Sequence, residues 1–152
     1  MATGKQFLTF FVDSLFFGLE VEQVQEVLRY QEMTRVPLAP AVVRGLINLR
    51  GQIVTAIDLR RRLELNEPER QHLPMNVVVR TEDGRVSLLV DEIGDVVEVE
   101  DGTFERPPAT LNRNTSAFIR GVHKLSNGLM HVLDTQNVLN LDAESKRHGS
   151  GP

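Results

Sequence analysis

Two histidines and an aspartate in the second half of the chain are the side chains best suited to acid–base or metal chemistry. His123 and His131 could face each other across a hairpin, and Asp134 follows closely. A hydrolase would use the histidines as proton carriers, and a metal centre would use them as ligands. Either site needs a further ligand or a nucleophile at defined geometry. The spacing supplies neither, so we expect no catalysis and no metal at this cluster.

Other catalytic signals are missing from the sequence as well. Arg60, Arg61 and Arg62 could bind phosphate, but a polar helix face behind an N-cap at Asp58 explains them better. The sequence contains no cysteine, no glycine-rich phosphate loop and no serine–histidine–aspartate pattern. These observations predict a protein that is not an enzyme and uses no cofactor.

The composition narrows the class of partner. The chain has 152 residues, a formal net charge of -4 and 41% hydrophobic residues. The negative charge argues against broad binding of nucleic acid or anionic membrane. No run approaches the roughly 18 apolar residues that a membrane span needs, and the N-terminus lacks a signal-peptide pattern. We therefore expect a cytoplasmic protein that does not insert into a membrane.

Apolar runs and turn residues predict short strands joined by hairpins. A helical turn near Val21 should lead into an extended segment from Glu26 to Val36, and Asp58 and Asp134 should cap short helices. Many short strands with few helices indicate small β-barrels. The expected strands are residues 5–12, 16–19, 45–49, 53–57, 75–80, 85–90, 119–125 and 129–133, with a linker at 64–74 and the longest loop at 98–116.

The second half of the chain repeats the first. Residues 44–63 align without a gap on residues 120–139, at an offset of 76, and residues 19–27 echo residues 88–96, at an offset of 69. The second copy therefore carries a seven-residue insertion between the two blocks. A repeat of this length is a small folded unit used twice, since it is too long for a solenoid turn.

The repeat predicts two similar barrels side by side in one domain over residues 5–141. The first barrel is expected at roughly 13–66 and the second at roughly 75–141, while the N-terminal strand pairs with either. Residues 142–152 are polar and predicted to form a disordered tail.

Positions shared by the two copies are explained by the fold, and unshared positions point to function. Gly45 matches Gly121, which favours a backbone requirement such as a close approach, and Asp58 matches Asp134 as a helix cap. Arg50, by contrast, aligns with Ser126, so the fold does not need arginine at this turn. A guanidinium donates paired hydrogen bonds to carboxylates, and Glu26 is a candidate acceptor.

Several motifs in order resemble the CheW family of chemotaxis coupling proteins, over about residues 5–141. They are Val24-Gln25-Glu26-Val27, the pair Pro37 and Pro40, Arg44-Gly45-Leu46-Ile47-Asn48-Leu49-Arg50-Gly51, and Ile57-Asp58-Leu59-Arg60. Their order and spacing make the match specific. Two departures, Thr55 where the family commonly has proline and Phe17 where tyrosine is common, fall in the scaffold.

The resemblance implies a mainly β fold of two pseudo-repeated, five-stranded SH3-like β-barrels that share a hydrophobic core, with short helices. It also implies a non-catalytic scaffold that couples chemoreceptors (methyl-accepting chemotaxis proteins) to a CheA-type histidine kinase. Its partners would be the kinase regulatory domain and the cytoplasmic hairpin tip of the receptor. The protein would be recruited to membrane-associated receptor arrays and be monomeric outside them.

The resemblance also implies site residues by position. Val21, Val24, Glu26, Arg50 and Val96 would bind the receptor, and Arg44 and Gly45 would lie at the kinase contact. An alternative is a CheW-like adaptor of a non-flagellar pathway such as twitching motility or surface sensing. A more remote one is a small-barrel nucleic-acid-binding module, which would need a basic face with stacking aromatics.

Overall fold

The computed structural model describes residues 4–65, 73–100, 103–126 and 128–141. Within these ranges the strands are β1 (Lys5–Val12), β2 (Leu15–Glu20), β3 (Val24–Leu28), β4 (Val43–Leu49), β5 (Gln52–Asp58), β6 (Met75–Thr81), β7 (Gly84–Val90), β8 (Glu92–Val99), β9 (Phe104–Glu105), β10 (Ile119–Leu125) and β11 (Gly128–Leu133). The helices are α1 (Leu59–Arg62), α2 (Arg113–Ser116) and α3 (Thr135–Leu139), and a 3₁₀ turn spans Val21–Gln23. The expected tail at 142–152 lies outside the described residues.

The strands form two sheets, with the orders β8-β1-β2-β11-β10-β9 and β3-β6-β7-β5-β4. Antiparallel hairpins make up most of each sheet. In each sheet one parallel contact joins two hairpins, β2 with β11 in the first and β5 with β7 in the second. All the predicted strands are present, which confirms the mainly β fold class.

Each sheet takes one hairpin from each copy of the repeat. The β1–β2 hairpin joins β10–β11 of the second copy, whereas β6–β7 joins β4–β5 of the first. β3 and β8 also cross, pairing with β6 and β1. This arrangement corrects the contiguous division into residues 13–66 and 75–141. Turn residues locate a hairpin along the chain, but they do not determine which other hairpin it will join.

A single cluster of buried apolar side chains serves both sheets. Phe10 and Phe17 enter it from the six-stranded sheet, and Val77 and Leu88 enter it from the five-stranded sheet. Because neither sheet has a separate core of that size, the halves stabilise each other, as expected for units of about 70 residues. The predicted sharing of one core between the two units is confirmed.

Two local predictions have different outcomes. Asp58 accepts a 3.3 Å hydrogen bond from Arg61 N, and Asp134 accepts one of 3.1 Å from Asn137 N, so both are helix caps. The segment predicted to be extended from Glu26 to Val36 is a strand only as far as Leu28, where β3 ends. Thr34 then makes an isolated antiparallel bridge to Leu46 of β4, at the other edge of the five-stranded sheet.

Candidate functional site

The turn between β4 and β5 presents Arg50 in an unusual backbone conformation. Arg50 has φ 51° and Gly51 has φ 86°, so both central residues lie in the left-handed region. This is the geometry of a two-residue type I′ hairpin turn, which fits the right-handed twist of the strands. Asn48 Oδ1 accepts a 2.9 Å hydrogen bond from Gly51 N and fixes the turn further. The arginine is therefore held by its backbone on a rigid hairpin tip.

Arg50 and Glu26 form a bidentate ion pair. Nη1 and Nη2 of Arg50 each donate a 2.8 Å hydrogen bond to one carboxylate oxygen of Glu26. The hydrogen bonds from Arg50 lower the pKa of Glu26, against the opposing effect of burial, and the charges of Arg50 and Arg85 add to the lowering. The same contact raises the pKa of Arg50. Both groups are therefore charged at neutral pH, as their fork-to-fork geometry requires.

This ion pair joins the two edges of the five-stranded sheet. Glu26 lies on β3 at one edge, and Arg50 follows β4 at the other. Paired backbone hydrogen bonds of 2.9 and 2.8 Å between Thr34 and Leu46 connect the same two sides. In the second copy Asp95 and Ser126 hold the matching positions, and a serine cannot make the bidentate contact. The Arg50–Glu26 ion pair therefore belongs to the first copy of the repeat alone.

The five residues expected at the receptor surface divide into two groups. Glu26 and Arg50 are in direct contact, and their side chains are 19% and 70% exposed. Val24 lies on β3 two residues before Glu26, but it is half-buried against the shared core. Val21 is half-buried in the 3₁₀ turn, beside an open cleft that Lys5 and Glu98 also line. Val96 is 54% exposed on β8, an edge strand of the other sheet.

The two residues expected at the kinase contact have different environments. Arg44 is exposed on β4 and lines an open groove. Gly45 is buried, and a Cβ atom there would lie 2.6 Å from the carbonyl oxygen of Thr34. At Gly121 a Cβ atom would lie 2.6 Å from the carbonyl oxygen of Glu105. Each glycine therefore lets a neighbouring segment approach closely, which is the backbone requirement that their repetition predicted.

The histidine cluster does not come together. His123 pairs across the hairpin with Met130, whereas His131 pairs with Val122. Since side chains alternate along a strand, His123 and His131 lie on opposite faces of the sheet, and the expectation that they could face each other is wrong. His123 Nδ1 is 2.7 Å from Thr103 Oγ1, and His131 Nδ1 is 2.8 Å from the carbonyl oxygen of Phe16. Both rings are buried packing elements.

Two of the three consecutive arginines are buried and bind other parts of the fold, which the sequence did not predict. A polar helix face describes only Arg61, because Arg60 and Arg62 are 5% and 3% exposed. Arg60 forms a hydrogen-bonded ion pair with Asp91, and its Nη1 lies 3.8 Å from Asp13 Oδ1. Asp91 also accepts a 2.6 Å hydrogen bond from Asp13 N. This network connects α1 to the β1–β2 turn and to the residue between β7 and β8.

Arg62 links the two short repeated helices. Its Nε donates a 2.7 Å hydrogen bond to the carbonyl of Val138, and Nη2 donates to the carbonyls of Asn137 and Asn140 at 2.8 and 3.1 Å. Its guanidinium carbon lies 4.7 Å from the centre of the Phe118 ring. The sequence contained a signal for this role. Arg60 and Arg62 align with Gln136 and Val138 in the second copy, so arginine is not repeated at these positions, just as Arg50 is not repeated at Ser126.

Two negative findings apply to the described residues. Residues 4–65, 73–100, 103–126 and 128–141 bring no three histidine, cysteine, aspartate or glutamate side chains together as a metal site. Over the same part of the chain, no helix combines the length and the apolar character of a membrane span.

The fold and this site define a class: a mainly β domain of two pseudo-repeated sheets that exchange hairpins, with the Arg50–Glu26 ion pair on one of them. The family model described as CheW-like domain matches residues 6–143, and the chain belongs to that family. It is 33% identical over 145 residues to the chemotaxis protein CheW of Bacillus subtilis strain 168, covering 95% of this chain and 92% of the relative. It is 29% identical to the chemotaxis protein CheW of Treponema pallidum strain Nichols, covering 85% of this chain and 78% of the relative.

A solved structure agrees with this assignment. The crystal structure of the scaffolding protein TtCheW from Thermoanaerobacter tengcongensis superposes with a TM-score of 0.77 at 25% identity, covering 86% of this chain and 88% of that one. The similarity therefore extends over nearly all of both proteins and includes the two-sheet arrangement that positions Arg50.

Proposed function

We propose that this protein is a non-catalytic chemotaxis adaptor that couples chemoreceptors to a CheA-type histidine kinase. The observation that carries the proposal is the CheW-like match over residues 6–143. The chain is also similar to a chemotaxis protein over most of that protein's length. An adaptor works by protein binding alone, and His123 and His131, which are among the side chains best suited to catalysis, are buried and hydrogen-bonded within the fold. The proposed partners are the kinase regulatory domain and the receptor's cytoplasmic hairpin tip.

The receptor surface is proposed to centre on Arg50. A guanidinium has five N–H donors, and the ion pair with Glu26 uses two of them, so the exposed side chain can still donate to a receptor group. Glu26 holds the guanidinium in a fixed orientation, which reduces the entropy lost when a partner binds. Val21, Val24 and Val96 are proposed to add apolar contacts beside this charged centre.

The kinase surface is proposed to lie on the first strand of the β4–β5 hairpin. Arg44 is exposed there and available to a partner. Gly45 is buried, so its contribution would be to keep Thr34 and β4 close together. Receptor and kinase would then bind different surfaces of the protein at the same time.

The same proposal implies where in the cell the protein acts. The protein would act in the cytoplasm, be recruited to membrane-associated receptor arrays through its partners, and be a monomer outside them. Individual contacts need have only about micromolar affinity, because the array raises the effective concentration of each partner.

A non-flagellar pathway has less support, because the relatives named above are chemotaxis proteins. A net charge of -4 disfavours a nucleic-acid-binding module.

The test is reconstitution with a CheA-type kinase and a receptor cytoplasmic fragment. Wild-type protein should bind both and raise receptor-dependent kinase autophosphorylation. Arg50→Ala should lose receptor coupling and keep kinase binding, while Ser126→Ala, at the matching turn of the second copy, should behave as wild type. Failure of the wild-type protein to bind either partner would overturn the adaptor proposal. Full receptor coupling by Arg50→Ala would overturn only the site assignment.

A further inference from the structure

Leu38 combines two unfavourable features at one position. It is fully exposed, and its φ of 66° places it in the left-handed region. Left-handed backbone costs a non-glycine residue of order 1 kcal/mol, and asparagine or glycine would avoid most of that cost. An exposed leucine also gains nothing from the fold. Neither feature helps the isolated protein, so the position points to a contact outside it.

The surroundings of Leu38 form an apolar surface. Tyr30 and Val36 are 36% and 38% exposed beside it, large values for apolar side chains. They line an open groove of about 790 Å³ together with Pro37 and Pro40. The prolines restrict the loop, since each fixes its own φ, and the groove is thereby partly pre-formed.

Basic side chains border this groove. Arg35, Arg44 and Arg61 line it, and none of the described residues in the lining is acidic. Within the part of the chain that the structure describes, the side chains of Arg35 and Arg44 form no hydrogen bond or ion pair, so their guanidinium groups are available. A positive rim around an apolar centre is complementary to a partner surface with an apolar pocket surrounded by carboxylates.

We propose that Leu38 is the central apolar contact of the kinase-binding surface, and that the kinase regulatory domain receives it in an apolar pocket bordered by carboxylates. This inference rests on the proposed function and specifies the kinase side of it. Arg44, at the proposed kinase contact, lines the same groove as Leu38, which places both on one continuous surface. Arg35 and Arg44 then orient the partner at the rim, while Leu38 supplies the buried centre.

The decisive variant is Leu38→Asn, because it should have opposite effects on stability and on binding. Asparagine tolerates the left-handed conformation, so the melting temperature should stay the same or rise by a few degrees. Loss of a central apolar contact should weaken kinase binding by about tenfold or more, and mainly through faster dissociation. A residue with only a structural role would not lose binding while the fold gained stability. The matched control is Leu129→Asn, an exposed leucine on β11, which should bind the kinase as wild type does.

The charged rim is tested with Arg35→Glu in the same binding assay. Kinase association should slow by about tenfold at low salt, and the difference from wild type should shrink as the salt concentration rises. Normal kinase binding by Leu38→Asn would overturn this inference and leave the adaptor proposal intact. A wild-type protein that binds no kinase would overturn both. The inference also fails if Leu38→Asn abolishes receptor binding or self-association and leaves kinase binding unchanged.

Discussion

Arg62 donates a hydrogen bond to the carbonyl of Val138, the residue at its own aligned position in the other copy of the repeat. The contact therefore runs across the pseudo-symmetry of the molecule, from helix α1 to helix α3. A buried side chain of the first copy therefore reaches the main chain of the second. The end of a helix leaves carbonyls without partners inside the helix, and Arg62 donates to three carbonyls at the end of α3.

Replacing Arg62 should therefore destabilise the whole domain. Arg62→Met keeps much of the apolar stem but removes three hydrogen bonds to main-chain carbonyls, at a cost of about 3 kcal/mol in the free energy of unfolding. Urea unfolding followed by circular dichroism measures the change. The control is Arg61→Met, whose side chain is 41% exposed, and its cost should stay below about 1 kcal/mol. Equal losses in the two variants would contradict the linking role of Arg62.

The sequence predicted the hairpins, the helix caps and the shared core, because each depends on residues that are close together or repeated. Turn residues such as Asp83 and Gly84 determine where a hairpin forms, and Asp58 caps a helix that follows at once. The exchange of hairpins could not be predicted in this way, because strand order depends on packing between residues far apart in the chain. The same limit explains Arg60 and Arg62, whose partners lie 31 to 78 residues away.

The candidate site was predictable to the extent that one copy differed from the other. The mismatch between Arg50 and Ser126 identified Arg50 as a candidate, and the charge of Glu26 made it a candidate partner. Leu38 gave no such signal, because it lies in a loop outside the aligned blocks. Only its backbone angle and exposure reveal it, and both are properties of the folded chain.

Alanine at either Gly45 or Gly121 should destabilise the fold. Gly45→Ala places a methyl group against the backbone of Thr34, and Gly121→Ala places one against the backbone of Glu105. Since a backbone carbonyl cannot swing aside like a side chain, each variant should lose about 1 to 3 kcal/mol of stability. Thermal unfolding of both variants provides the measurement. If Gly45 were needed only for a partner, Gly45→Ala would melt like the wild type.

The Arg50–Glu26 pair should make stability depend on pH in a defined direction. The pKa of Glu26 lies below its ordinary value of 4.5 in the folded state, so the carboxylate binds protons more weakly there than in the unfolded chain. Its stabilising contribution is then complete above pH 4.5 and is lost as the pH falls through the folded-state pKa. Arg50→Ser, which copies the second half of the repeat, should remove most of this dependence, because only the smaller effect of Arg85 remains.

Carbon-detected NMR titration of the Glu26 carboxyl group measures the shift directly. In Arg50→Ser the pKa of Glu26 should rise toward its ordinary value, because the hydrogen bonds that lower it are gone. Ser126→Ala should leave the titration unchanged, since the groups that lower the pKa of Glu26 are Arg50 and Arg85. An unchanged pKa in Arg50→Ser would show that another group holds Glu26 in its charged form.

Arg44 and Arg120 provide a matched pair for the kinase surface. They hold the same position in the two copies and both are exposed, so they differ in location more than in chemistry. Arg44→Gln should weaken kinase binding about threefold at low salt, because a charge at the rim of an interface acts mainly on association. Arg120→Gln should leave binding unchanged. Stopped-flow association with the kinase regulatory domain, at two salt concentrations, distinguishes them. Equal slowing by both variants would mean that the kinase responds to the overall charge of the protein, and the assignment of its contact to the five-stranded sheet would fail.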